Sequence, residues 1–162
     1  MKRVQLIAGG DIALGGALAG LSTDALATRA AGAGELFRRG DVSIVSLDCA
    51  IGRVGEPPDP EEYVVDAPEE NLDLLKHLGI GVVSLANNHS TDRGFEALGG
   101  ARRALARRGL EAVGGGATYD EACQPLIVVA NGMRLGILAF AATDPWVGAL
   151  QATSGRGGVA PL

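Results

Sequence analysis

Three short runs of nearly uninterrupted apolar residues, at 3–8, 41–47 and 81–86, alternate with longer segments that have helical spacing. Strands covered on both faces have such continuous apolar runs, and strands joined by helical crossovers lie parallel. The alternation therefore predicts an α/β fold whose first strands form a parallel sheet. A fourth short apolar run, at 110–113, predicts one more strand.

Glycine and proline mark the ends of the predicted helices. The patterns predict helices over 23–39, 68–78 and 95–108, and Gly40 and Gly79 follow the first two. Glycine is favourable just past the end of a helix, where the backbone turns left-handed. The second helix opens with a proline, which is tolerated in the first turn because no N–H group is needed there.

The last third of the chain predicts an antiparallel hairpin. An Asn-Gly pair separates the apolar runs 126–130 and 133–140, and this pair is the strongest short signal for a two-residue hairpin turn. Earlier in the chain, the proline-rich and acidic segment 52–62 predicts a loop, and 63–65 a short extended piece. The expected fold is thus a parallel sheet with an added hairpin.

Composition limits the class of protein. The chain has 162 residues, of which 47% are hydrophobic and 20% charged, as expected for one globular domain. Its formal net charge of −5 argues against a general nucleic-acid binder, which neutralises phosphates with basic residues. No apolar run has the length of a signal-peptide core or a membrane span, so we expect a cytoplasmic protein. Cys49 and Cys123 form no CxxC pair, so we expect both to be buried free thiols.

The basic residues concentrate on the third predicted helix, at Arg102, Arg103, Arg107 and Arg108. Such a run of charges is usually a solvated helix face, and arginine is favourable near the carboxyl end of a helix. His77, in the last turn of the second predicted helix, has the same interpretation of a surface residue compatible with the helix dipole.

Polar side chains follow each of the first three predicted strands. Asp11 follows the first, Asp48 the second, and Asn87, Asn88 and His89 the third. Ligands of open α/β sheets bind outside the carboxyl ends of the strands, so we expect these side chains to converge. Carboxylate, amide and imidazole groups suit divalent manganese, iron or zinc, and a pair of such ions can hold a phosphoester and activate water.

Each of these residues also has a structural interpretation. An aspartate just past a strand can cap a turn, Asn87 and Asn88 can be turn residues, and His89 can be a hydrogen-bonded structural histidine. Their coincidence at three strand ends favours the functional interpretation. A glycine-rich turn after a first strand can instead cradle a nucleotide phosphate, so a nucleotide-binding α/β domain is one alternative.

The motifs around these residues resemble those of CapA-type capsule-synthesis proteins. The segments that carry the resemblance are GGDIALGG, DVSIVSLDCAIG and LANNHSTDRG at the three strand ends, PEENLDLLKHLGIGVVS before the third, and GLEAVGGGATYDEACQPLIV and NGMRLGILAFA downstream. LANNHSTDRG is the most specific of them. Because the resemblance covers most of the chain, 1–162 is identified as the amino-terminal part of a CapA-type, metallophosphoesterase-like domain.

The resemblance implies the fold of calcineurin-like phosphoesterases, in which two sheets lie between helices and a metal site occupies the strand ends. It implies that Asp11, Asp48 and Asn88 bind one or two divalent ions of manganese, iron or zinc. It implies that His89 stabilises or protonates the leaving group. The implied function is a metal-dependent hydrolase for an anionic small molecule or polymer, associated with capsule or poly-γ-glutamate synthesis.

Three departures from the family pattern bear on activity. Ser46 and Asp48 stand where the family has an asparagine and a glutamate, and Ala13 stands where superfamily relatives carry a second ligand. The chain ends at GRGGVAPL, about where the family continues into an HWG-type motif and later histidines. We therefore expect an incomplete fragment with weak or no activity by itself, and self-association through an uncovered sheet edge. A non-catalytic scaffold of the same fold is the second alternative.

Overall fold

The computed structural model describes residues 2–52, 55, 63–142 and 150–162. The strands are β1 (Leu6–Ile12), β2 (Val42–Leu47), β3 (Ala50–Ile51), β4 (Asp66–Ala67), β5 (Val82–Ser84), β6 (Glu111–Val113), β7 (Gly115–Gly116), β8 (Leu126–Ala130), β9 (Met133–Ile137) and β10 (Gly158–Val159). The α-helices are α1 (Thr23–Arg29), α2 (Ala31–Phe37), α3 (Asp73–Leu78), α4 (Gly94–Arg107) and α5 (Tyr119–Ala122). Short 3-10 helices cover Gly16–Leu18 and Glu69–Leu72.

The central sheet has the strand order β1-β2-β5-β6, and all neighbouring strands are parallel. The predicted α/β class with a parallel sheet is therefore confirmed. Because this order follows the chain, right-handed crossovers place the connecting helices on one face of the sheet. The opposite face needs a different cover, and the hairpin of β8 and β9 provides it.

The two faces of the sheet bury different apolar sets, because side chains alternate along a strand. On one face, Val45, Leu47 and Val83 pack with leucines of α1, α3 and α4. On the other face, Val42 and Val82 pack with the inward side chains of β8 and β9. Coverage on both faces explains why these strands are almost continuously apolar in sequence.

The predicted hairpin is confirmed, with its turn at Asn131 and Gly132. β8 and β9 pair antiparallel along their whole length, and the two turn residues have φ angles of 50° and 69°. A two-residue hairpin turn of this type needs positive φ at both positions. The outward side chains Ile127 and Val129 of β8 are exposed. Self-association through an uncovered edge stays a prediction.

The first strand lies later than predicted, over Leu6–Ile12 rather than 3–8. Its pairing with β2 shifts register between Ala8 and Asp11, which is a bulge at the two intervening glycines. A Cβ atom at Gly9 would approach the Phe37 ring to 2.8 Å. The bulge lets the strand continue past the glycines, so Asp11 lies inside the strand, near its carboxyl end.

Three other predicted segments differ from the structure. The helix predicted over 23–39 is divided at Ala30 into α1 and α2, and the division lets both short helices contact α3. The extended piece predicted at 63–65 lies instead at β4, which pairs with β3. The helix predicted from residue 68 begins as a 3-10 turn and becomes α-helical at α3.

Within the described residues, three of the four arginines on and just after α4 form ion pairs, in place of the predicted solvated face. Arg108 contacts Glu69 at 3.0 Å and Asp73 at 2.6 Å, and Arg107 contacts Glu69 at 2.7 Å. Arg102 pairs with a glutamate of α5. The two arginines beside it hold the pKa of the Glu69 carboxyl below its usual value. The pairs of Arg107 and Arg108 connect the end of α4 to the start of α3 and the 3-10 turn before it.

The surface position predicted for His77 is confirmed, whereas the burial predicted for both thiols holds for Cys49 alone. Cys49 is buried and Cys123 partly exposed, and both are free thiols. Burial raises the pKa of the Cys49 thiol to about 11, so this thiol stays protonated at neutral pH. His77 is exposed in the last turn of α3. Within the described residues, no helix combines the length and the apolar character that crossing a membrane requires.

We expect Arg108→Ala to lower the free energy of unfolding by about 1 kcal/mol. The Arg108 side chain is 17% exposed and joins two carboxylates. The control is Arg103→Ala, an exposed position of the same helix, which should change stability by less than about 0.5 kcal/mol. Urea unfolding followed by circular dichroism measures both variants, and equal losses would contradict a role for the ion pairs.

Candidate functional site

Three neighbouring strands bring polar residues to the same edge of the sheet. Asp11 is the penultimate residue of β1, and Asp48 directly follows β2. Asn88 and His89 lie in the loop 85–93 after β5, here named the site loop. Since β1, β2 and β5 are adjacent and parallel, their carboxyl ends lie side by side. The structure therefore places all four predicted residues at one edge.

The charged groups at this edge act on one another. Burial raises the pKa of the Asp48 carboxyl above its ordinary value. The imidazole of His89 opposes that shift, whereas the carboxylates of Asp11 and Asp92 add to it. Three carboxyl groups and one imidazole thus share a small region in which negative charge is unfavourable, an arrangement more frequent at functional sites than elsewhere.

Asn87 holds the site loop against the end of β2. Its amide nitrogen donates to the Leu47 carbonyl oxygen at 2.8 Å and to the Ser46 hydroxyl at 3.3 Å. Its amide oxygen accepts from the backbone N–H groups of His89 and Ser90, at 3.1 and 2.8 Å, and from the Ser90 hydroxyl at 2.9 Å. Because both ends of the amide are engaged, Asn87 is a structural residue.

The next residues of the site loop anchor it to other parts of the chain. The Thr91 hydroxyl accepts from the Leu150 N–H at 3.0 Å. Asp92 Oδ2 accepts from the Val65 N–H at 2.7 Å. Arg93 donates from two nitrogens, at 2.9 and 2.6 Å, to a carboxylate oxygen of the first residue of β4. The loop conformation is therefore fixed by contacts from several sides.

Among the polar side chains of the site loop, those of Asn88 and His89 do not take part in these anchoring hydrogen bonds to other segments. His89 Nδ1 lies 2.8 Å from Asp92 Oδ2, so Nε2 is the nitrogen that can meet a ligand. The His89 side chain is 25% exposed and can be reached from solvent. Asn88 is half-buried, and its side chain makes no hydrogen bond to any other residue in the described ranges.

Asp92 belongs to this site but is not among the residues predicted from the sequence. Its side chain is 6% exposed and contacts the His89 ring. The available signal was the His-x-x-Asp spacing, which in a tight loop can bring two side chains together. An aspartate among Ser, Thr and Gly residues has the composition of an ordinary turn, and only its burial distinguishes it.

The side chains present suit a divalent cation in chemical type but are few in number. The oxygen atoms of Asp11, Asp48 and Asn88 are ligand types that manganese and similar ions accept. Over the part of the chain that the structure describes, no group of three or more His, Cys, Asp or Glu side chains could hold a metal ion. These three oxygen donors are fewer than the about four to six ligands that such an ion usually takes.

The glycine pair does not form a phosphate-binding turn. β1 continues past it to Ile12, and the next α-helix begins at Thr23. Phosphate binding of the nucleotide type uses a glycine-rich turn that leads directly into a helix, so the nucleotide alternative loses its structural basis. A groove of about 900 Å³ runs beside α4, and none of the four predicted site residues lines it.

Comparison with known proteins identifies the family. The model of "Bacterial capsule synthesis protein PGA_cap" matches residues 5–158. Capsule biosynthesis protein CapA of Bacillus anthracis is 32% identical over 94 residues, which are 58% of this chain and 22% of CapA. A "Probable polyglutamine synthesis accessory protein" of Mycobacterium tuberculosis, matched in two strains, is 31% identical over 104 residues.

The second match covers 64% of this chain and 27% of the mycobacterial protein. The chain thus spans about a quarter of the length of the curated relatives it matches. The family model, in contrast, extends over nearly the whole chain. On that match, the chain belongs to the PGA_cap family of bacterial capsule synthesis proteins.

Proposed function

We propose that this chain is a metal-dependent, phosphoesterase-like hydrolase domain that serves capsule or poly-γ-glutamate synthesis. The observation that carries the proposal is the group of charged side chains at the strand ends. Burial raises the pKa of Asp48 there, and the charges of His89, Asp11 and Asp92 also act on it. Perturbed carboxyl groups beside an imidazole are typical of catalytic sites. The names of the relatives, which refer to capsule biosynthesis and polyglutamine synthesis, support the biological role.

In this proposal, Asp11, Asp48 and Asn88 hold one or two divalent ions of manganese, iron or zinc. Burial, and after it the acidic neighbours, disfavour the ionised form of Asp48, and a cation at this edge would relieve the repulsion between the carboxylates. An ion of this kind supplies Lewis acidity toward a phosphoester and an activated water. The metal is therefore expected to bind where the folded chain concentrates negative charge.

The imidazole of His89 acts on the leaving group. In the imidazolium form, Nδ1–H donates to Asp92 and Nε2–H can donate a proton or a hydrogen bond to the departing oxygen. Asn87 contributes indirectly, because its amide fixes the backbone N–H of His89. The substrate is an anionic phosphoester or a related polymer, which an open edge of a sheet can accept without a closed cavity.

A non-catalytic scaffold of the same fold is the second candidate. The observation that favours it is the low number of ligands, since the described residues hold no metal-binding group of three or more His, Cys, Asp or Glu side chains. Ser46, where the family has an asparagine, accepts a hydrogen bond from Asn87. Metal binding and turnover distinguish the two candidates.

We expect isothermal titration calorimetry with manganese chloride to show weak binding, because the identified ligands are few. Asp11→Asn and Asn88→Ala should each remove this binding, since both substitutions delete an oxygen donor or its charge. Asp24→Asn, in the first turn of α1, is the matched control and should leave binding unchanged. Tight binding at two sites would contradict the low ligand number, and no binding by the wild type would favour the scaffold.

We expect slow, manganese-dependent hydrolysis of bis-p-nitrophenyl phosphate by the purified chain. His89→Ala should lower kcat by roughly 100-fold or more, the usual effect of losing a general acid. The chain has two histidines, and His77→Ala, at an exposed position of α3, should leave the rate unchanged. Equal rates for wild type and His89→Ala would exclude a role of His89 in turnover.

We expect Asp48→Asn to raise the free energy of unfolding of the metal-free chain at neutral pH. A pKa raised in the folded state means that the folded chain binds this proton more tightly than the unfolded chain does. Stability is therefore lost as the pH rises through the titration of Asp48. Since solvent screens this carboxyl, the gain should stay below about 1 kcal/mol.

The matched control for this prediction is Asp41→Asn, at the other end of β2. The Asp41 carboxylate accepts a hydrogen bond from the Gln5 N–H at 2.8 Å, so its replacement should not stabilise the chain. Urea unfolding at neutral pH, with chelator present, measures both variants. A loss of stability in Asp48→Asn would show that Asp48 is a structural turn cap.

A further inference from the structure

We infer that Asp92 is the positioning residue for His89: it holds the imidazole as the tautomer protonated at Nδ1, so that Nε2 is the nitrogen presented at the strand ends. The juxtaposition behind this inference is a single oxygen, Asp92 Oδ2, placed between the Val65 N–H and the His89 ring. Its catalytic consequence rests on the proposed function, whereas the tautomer itself does not.

The proton assignment follows from the two contacts of that oxygen. The Val65 N–H, 2.7 Å away, can only donate a hydrogen bond, so Asp92 Oδ2 accepts there. His89 Nδ1 lies 2.8 Å from the same oxygen. A carboxylate oxygen has lone pairs for both contacts but no hydrogen to give, so the hydrogen of the second contact belongs to Nδ1. In the neutral imidazole, Nε2 then has the lone pair.

The contact is held in place from both sides. The Asp92 side chain is 6% exposed and the His89 side chain 25% exposed, so the shared oxygen is shielded while the ring keeps one open edge. On either side of Asp92, the Thr91 hydroxyl accepts from the Leu150 N–H and Arg93 pairs with the first residue of β4. These neighbouring anchors fix the backbone of Asp92, which in turn fixes the ring.

The Val65 N–H also predicts how two substitutions of Asp92 differ. In Asp92→Asn, the amide turns its oxygen toward that N–H donor, so an acceptor remains opposite His89 Nδ1. In Asp92→Ala, no acceptor remains, and the imidazole is free to adopt the tautomer protonated at Nε2 that prevails in free histidine. Thr91→Val is the control, because it removes another buried hydrogen bond of the same loop.

The test is nitrogen-15 NMR of the full chain labelled at its two histidines, in mildly alkaline buffer. Exposed His77 serves as the internal reference for a solvated ring. We expect His89 to show a protonated Nδ1 and an unprotonated Nε2 in wild type, Asp92→Asn and Thr91→Val. Asp92→Ala should lose this preference. If Asp92→Ala does not fold, the wild-type and Asp92→Asn spectra decide the question.

A wild-type His89 protonated at Nε2 would overturn the inference, as would an Asp92→Ala spectrum identical to that of wild type. Turnover provides the second measurement: Asp92→Ala should lower kcat by about 10- to 100-fold with little change in KM, and Asp92→Asn should recover part of that loss. The expected tautomer in a chain without turnover would confirm the role of Asp92 and reject the proposed activity. Turnover by a chain in which His89 is protonated at Nε2 would support the proposed activity and reject the role of Asp92.

Discussion

The hydrogen bonds of the Asn87 amide hold the site together. This side chain joins the last residues of β2 to the backbone of the site loop, with 2.8 Å between its nitrogen and the Leu47 carbonyl oxygen. Without these hydrogen bonds the loop backbone would be more mobile, and the position of His89 relative to Asp48 would vary. The Asn87 amide is part-buried, and both its nitrogen and its oxygen are hydrogen-bonded. Breaking these bonds without replacing them costs free energy, so the loop keeps one conformation.

The sequential strand order has consequences for the rest of the domain. With its connecting helices on one face, the sheet depends on the β8–β9 hairpin to cover the other, where Val42 and Val82 would otherwise meet water. The hairpin has a second, outward face on which Ile127 and Val129 remain exposed. The side of the sheet away from α1, α3 and α4 therefore keeps exposed apolar side chains.

The strand-end edge has the opposite character, because it concentrates charge. Burial and two acidic neighbours raise the pKa of Asp48, an arrangement that costs stability unless a cation or a proton is bound. Natural sequences keep such unfavourable groups mainly at functional sites. The ion pairs of α4 lie elsewhere and serve packing, since Arg108 connects the helix to Glu69 and Asp73.

Periodicity alone predicted the parallel sheet and the hairpin, because both depend on local signals. Continuous apolar runs identify doubly covered strands, and the Asn-Gly pair fixes the hairpin turn. The same pattern predicted that Asp11, Asp48 and His89 lie at the carboxyl ends of strands, because parallel strands end at one edge of the sheet. The bulge in β1 and the division of the helix at Ala30 were not predicted, because each depends on packing against distant residues such as Phe37 or α3.

The amino-acid sequence by itself determined the fold class, the hairpin and the edge at which the polar residues gather, because those follow from short-range patterns. Tertiary structure alone decided that Asn87 is the asparagine that joins the site loop to the end of β2. It also decided that Asp92 contacts His89, and that Arg107 and Arg108 pair with Glu69 and Asp73. The physical reason is that burial and hydrogen-bond partners come from segments far apart in the chain, which residue type and spacing do not encode.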